Sequence, residues 1–80
     1  MEVLDLRGLR CPLPALLARR ALARTIAGGR IEIVSDDPLA AVDVPHMCRE
    51  EGHDVIAVER FDAAVRLVLR RGDKPVPPAQ

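Results

Sequence analysis

Apolar and polar positions along this chain break into six segments. Glu2 to Leu6 alternate weakly and end at Arg7-Gly8, which predicts a short strand and a turn. From Pro12 to Ala27 the residues are mainly Ala, Leu and Arg, all strong helix formers, and the run stops at Gly28-Gly29. Proline just inside the start and glycine just past the end is the asymmetry of a helix. Arg30 to Ser35 predicts a second strand with Ile31 and Ile33 on one face. Asp36-Asp37-Pro38 reads as a turn into a second helix, with Asp37 as N-cap and Pro38 at the first helical position, running towards Glu51 and stopping at Gly52. Pro45 inside that run lacks an N–H and crowds the preceding turn, so it predicts a kink or a second start capped by Asp43. Residues 54–60 and 64–71 are β-rich around Phe61-Asp62-Ala63 and predict a hairpin.

The order β-α-β-α-β-β predicts an α+β fold, a two-layer α/β sandwich. Both helices lie on one face of a mixed four-stranded sheet, since each has one apolar stripe to cover. The β-α-β crossovers are expected to be right-handed with parallel strands, and the final hairpin antiparallel. A single domain over residues 1–72 accounts for all six elements. The stretch 73–80, with Pro75, Pro77 and Pro78, predicts a disordered tail.

Composition narrows this further. The chain has 80 residues and Phe61 as its one aromatic, so the core must be Leu, Val, Ile and Ala. A chain of this size buries about 60–65% of its unfolded surface, enough for one shallow core. No apolar run approaches the ~20 residues of a membrane span, and no basic-then-apolar leader opens the chain, so a cytoplasmic protein is expected. Two cysteines, Cys11 and Cys48, are too few for a disulfide scaffold and form no Cys-x-x-Cys pair. Both are expected to be reduced thiols.

The formal net charge of zero hides segregation. Residues 6–31 carry Arg7, Arg10, Arg19, Arg20, Arg24 and Arg30 and no acid. Residues 32–59 carry eight acids, Glu32, Asp36, Asp37, Asp43, Glu50, Glu51, Asp54 and Glu59, against Arg49. A basic end and an acidic remainder are one reading; interleaving by the fold is the other.

The most informative stretch is Cys11-Pro12-Leu13-Pro14. Pro12 pushes Cys11 into extended geometry and is itself preset for a first helical turn, so Cys11 stands where loop becomes helix. Pro14 is tolerated because first-turn N–H groups have no intrahelical partner. The helix dipole, with Arg7 and Arg10 close in sequence, predicts a thiolate-prone Cys11, its pKa below the free value of about 8.5. No base is evident nearby, so a Cys-His protease-type site is unsupported.

Projected at about 100° per residue, Leu17, Ala18, Ala21, Leu22, Thr25 and Ile26 face the sheet. Leu13, Leu16, Arg20 and Arg24 fall opposite, with Arg19 at the edge, and form a candidate docking strip for a protein with an acidic rim. Cys48, beside Met47 in a run with Leu39, Val42 and Val44, reads as a small core side chain. His46 and His53 have no metal-ligand spacing with either cysteine, and His53 after Gly52 reads as a loop residue or a helix-end cation. No metal site is expected. Asp36-Asp37 is too short a run for a cation site and reads as a helix cap.

Leu4-Asp5-Leu6-Arg7-Gly8-Leu9-Arg10-Cys11-Pro12-Leu13-Pro14 resembles the N-terminal signature of the TusA-type (SirA-like) sulfur carrier family, with its Cys-Pro-x-Pro motif. The likeness continues through Asp36-Asp37-Pro38, Asp43-Val44-Pro45, Cys48 and Gly52-His53, over about residues 4–71. It implies a sulfurtransferase step in a relay, with sulfane sulfur carried as a persulfide on Cys11, supported by Arg10, Pro12 and Pro14. The donor would be a cysteine desulfurase or rhodanese-like protein. The acceptor would be a protein of tRNA thiolation, molybdenum cofactor synthesis or sulfur oxidation. The persulfide needs no cofactor, and transient contacts suit a monomer.

Two readings from other classes compete with it. A nucleic-acid-binding or regulatory module could use residues 6–31, although zero net charge and a single aromatic speak against direct contact with nucleic acid. A thiol redox switch would pair Cys11 with Cys48, which requires their Cα atoms within about 7 Å.

Overall fold

The computed structural model describes residues 1–73; apart from Asp73, the tail expected to be disordered lies outside the described residues. The elements are β1 (Glu2–Asp5), α1 (Leu13–Ala23), β2 (Arg30–Ser35), α2 (Ala40–Glu51), β3 (Asp54–Phe61) and β4 (Ala64–Arg70). They form a mixed four-stranded sheet in the order β1-β2-β4-β3, with both helices packed on it. This is the predicted sandwich.

β1 pairs parallel to β2, and β4 pairs antiparallel to both β2 and β3. The hairpin therefore places β4 between β2 and β3, which run parallel without touching. The chain's most apolar strand thus takes a central position. Ile31 and Ile33 of β2 and Leu67 and Leu69 of β4 point into the core, where Ala18, Ala21 and Leu22 of α1 and Ala40, Val44 and Cys48 of α2 meet them. Each fully buried Leu or Ile contributes about 1.5–3 kcal/mol. The opposite face is held by charge: Arg66 reaches Glu32 and Glu59, both at 2.7 Å, and Arg70 reaches Asp54 at 3.0 Å.

Three local expectations are corrected. α1 ends at Ala23 rather than Ala27, because Thr25 turns its hydroxyl onto the Ala21 carbonyl (2.7 Å) and the segment after it is captured by the end of the sheet. There Gly28 donates to the Arg71 carbonyl, Arg71 donates back to Gly29, and the Arg71 guanidinium bonds the Thr25 carbonyl. Ile26, expected to face the sheet, is left 79% exposed. α2 begins at Ala40 rather than Pro38, with Pro38-Leu39 forming a turn closed by Ala40 N–H on the Asp37 carbonyl (3.0 Å). Pro45 lies inside one uninterrupted α2, so no second start forms at Asp43.

Gly52, at φ 79°, ends α2, and His53 N–H returns to the Cys48 carbonyl (2.7 Å). His53 is buried. Its Nδ1 accepts the Gly72 N–H at 3.0 Å, and burial lowers its pKa, so of the two expectations it is the loop residue, a neutral strut, and not the helix-end cation.

Candidate functional site

Cys11 lies on the surface just ahead of α1, in a turn closed by Leu13 N–H on the Arg10 carbonyl (2.9 Å). The helix N-cap is Pro12, one residue later than predicted, and the Cys11–Pro12 peptide is cis. Pro14 enters the first helical turn with its ring buried, so it serves the core as well as the turn.

Two aspartates that sequence reasoning assigned to capping hold this loop in place. Asp36 Oδ1 accepts from Gly8 N–H and from Arg10 Nη1, both at 2.9 Å. These bonds lower the Asp36 pKa, the Gly8 amide first. Asp37 is buried and splits its carboxylate: Oδ2 accepts the Cys11 N–H (2.5 Å) and Oδ1 the Leu39 N–H (3.0 Å). Its own N–H donates to the buried Ser35 hydroxyl at 3.1 Å. One carboxylate therefore ties the backbone of the cysteine to the entrance of α2. The Asp-Asp-Pro sequence carried a signal for this, but a cap accounts for only one of the bonds.

The expectation of a thiolate-prone sulfur is overturned. The Cys11 thiol is held above its ordinary value, first by a hydrogen bond to the Asp43 carboxylate, then by desolvation and by the charges of Asp43 and Asp37. The arginines meant to favour the anion are spent on other acids, Arg7 on Asp5 (2.7 Å) and Arg10 on Asp36 (2.9 Å). The acids that raise the thiol, Asp43 and Asp37, are remote from it in sequence.

The sequence-predicted docking residues divide. Leu13 and Leu16 are each 43% exposed, and Arg20 is exposed with no carboxylate partner among the described residues. Arg19 is half-buried and paired with Glu51 at 2.9 Å, bridging α1 to α2, while Arg24 is paired with Glu2 at 2.7 Å. Leu39 and Val42, read in sequence with the core run, are 51% and 63% exposed at the entrance of α2, next to the Asp37 anchor. Their spacing of three on a helix start was the available signal.

Cys48 is fully buried among core side chains, and burial pushes its thiol up to about 11. Both cysteines are free. Cys48 lies inside the core and Cys11 on the surface, which disfavours their pairing. A pocket of about 230 Å³ opens between the end of β2, the entrance of α2 and the β3–β4 turn, with Asp36, Asp37, Arg60 and Asp62 in its wall. Cys11 does not line it. Cys11 is exposed outside this pocket.

The family model described as Sulfurtransferase TusA matches residues 2–71. Among solved structures, the chain is similar to a SirA-like protein from Desulfitobacterium hafniense, with a TM-score of 0.78 and 24% identity. The match covers 91% of this chain and 100% of that one.

Proposed function

The chain belongs to the TusA sulfurtransferase family, and from that premise we propose that it relays sulfane sulfur as a persulfide on Cys11. The observation that carries this reading is an exposed cysteine on a loop whose backbone is anchored by Asp36 and Asp37. A small-molecule enzyme gains from enclosing its nucleophile, whereas a carrier must present it to successive proteins.

Loading is a thiol–persulfide exchange. The Cys11 sulfur attacks the outer sulfur of a donor persulfide, the donor S–S bond breaks, and the donor cysteine leaves with the electron pair and takes up the proton lost from Cys11. The products are Cys11–S–SH and a donor thiol, with no net oxidation. Delivery repeats the exchange with an acceptor. In this reading Arg10, Pro12 and Pro14 shape the turn, and Leu13, Leu16 and Arg20, joined by Leu39 and Val42, make the docking surface. Arg19 and Arg24 act mainly through their ion pairs.

The donor is a cysteine desulfurase or rhodanese-like protein, and the acceptor belongs to tRNA thiolation, molybdenum cofactor synthesis or sulfur oxidation. The protein works in the cytoplasm as a monomer without cofactor. Incubation with a cysteine desulfurase and cysteine, followed by intact mass measurement, tests the proposal. The expected result is one added sulfur atom or more on the parent and none on Cys11→Ser; equal uptake by both refutes it.

A further inference from the structure

We infer that the cavity beside the Cys11 turn is a binding site for a small free α-amino acid, Arg60 taking its carboxylate and Asp37 and Asp62 its ammonium group. This does not rest on the sulfur-relay reading, because the cavity excludes Cys11 and its use requires no sulfur.

The cavity measures about 230 Å³ and forms where the end of β2, the entrance of α2 and the β3–β4 turn meet. Sites for drug-sized ligands run to roughly 300–1,000 Å³, so its occupant is a smaller molecule. Both signs of charge stand in its wall. Asp37 is 5% exposed, and its oxygens accept from the Cys11 and Leu39 amides, which supply hydrogen bonds but no counter-charge. A buried carboxylate is ordinarily paired with a cation. Asp62 and Arg60, exposed in the same wall, also lack an ion-pair partner among the described residues. Asp36 lines the cavity too, but it is occupied by Arg10 and the Gly8 amide. Arg60 thus shares a cavity with three carboxylates and pairs with none of them.

A ligand that satisfies this wall carries one cation and one anion close together. A metal ion does not meet the requirement: among the described residues no group of three acidic, histidine or cysteine side chains converges to hold one. A primary ammonium group supplies three donors, for the spare lone pairs of Asp37 and for Asp62, while the planar guanidinium of Arg60 matches a carboxylate through two parallel N–H bonds. An α-amino acid bears both groups on one carbon. Ala41, Ala64 and Val65 complete the lining and leave an apolar place for a short side chain. Because Asp37 also holds the Cys11 amide, the site abuts the Cys11 turn without containing it.

The test is a titration of the full isotope-labelled chain with L-alanine at neutral pH, followed by amide chemical shifts. Ethylamine, an ammonium without a carboxylate, and propionate, a carboxylate without an ammonium, are titrated alongside. Alanine is expected to bind with a Kd of about 1–10 mM, with saturable shifts at the amides of Asp37, Ala41, Asp62 and Val65. Propionate is expected to bind at least about tenfold more weakly, since it forfeits the hydrogen bonds to buried Asp37. Ethylamine is expected to be about twofold to fivefold weaker, the effect of one exposed ion pair. Arg60→Gln is expected to weaken alanine by the same about twofold to fivefold and to leave ethylamine unchanged. Alanine shifts that do not saturate, or that spread beyond the cavity, overturn the site. Ethylamine binding as tightly as alanine, or Arg60→Gln binding alanine like the parent, overturns the amino-acid assignment.

Discussion

Asp37 shows how much one side chain does here. Its carboxylate is buried yet fully used, joining the Cys11 amide to the Leu39 amide. Hydrogen bonds to a charged acceptor are the stronger kind, and removing it strands two donors. Asp37→Ala is expected to lower stability by about 1–3 kcal/mol in urea unfolding and to slow sulfur loading, because the Cys11 turn loses its anchor. An unchanged unfolding midpoint would show that water replaces the carboxylate. The place of Cys11, exposed just ahead of α1, was legible because its signals are local: a proline on its C-terminal side and a helix starting after it. The role of Asp37 was not, since its bond to Cys11 spans 26 residues and a helix-start aspartate already has an ordinary explanation.

Among the elements, the junction of α2, β3 and β4 makes a pH prediction. Gly52 and Gly72 approach so closely that a Cβ on Gly72 would fall 1.8 Å from the Gly52 carbonyl oxygen, and His53 Nδ1 accepts the Gly72 N–H across that junction. Burial depresses the folded His53 pKa, while an unfolded histidine titrates near 6.5. Below about 6.5 the unfolded chain therefore binds a proton that the folded chain excludes. This contribution is complete above that pH and is lost as pH falls through it towards the folded value. Urea midpoints at pH 7.5 and 5.5 are expected to drop for the parent and to differ less for His53→Asn, whose amide oxygen replaces Nδ1 without titrating. The acids held low by ion pairs, such as Asp5 at about 2, act below about pH 4 and leave this window clear. Element types and order followed from periodicity and turn residues, whereas element ends did not. α1 stops at Ala23 because Arg71, 46 residues beyond Thr25, takes the Thr25 carbonyl.

For the whole molecule, the basic end and acidic remainder largely pair off. Arg7, Arg10, Arg19 and Arg24 each face a carboxylate, and only Arg20 and Arg30 of residues 6–31 lack such a partner among the described residues. A polyanion meets a patchwork rather than a basic stripe, and counterion release needs several unpaired cations together. The protein is expected to pass unretained through heparin at about 0.15 M salt, where isolated charges are screened beyond a Debye length; retention there would revive a nucleic-acid role. By itself the sequence determined the α+β order, the aliphatic core and the position of Cys11, because propensity, periodicity and proline geometry act between near neighbours. Only the tertiary structure decided the charge around the sulfur. Burial and Coulomb interaction depend on distance in space, and folding brings Asp37 and Asp43 to Cys11 while turning the nearby arginines onto other acids.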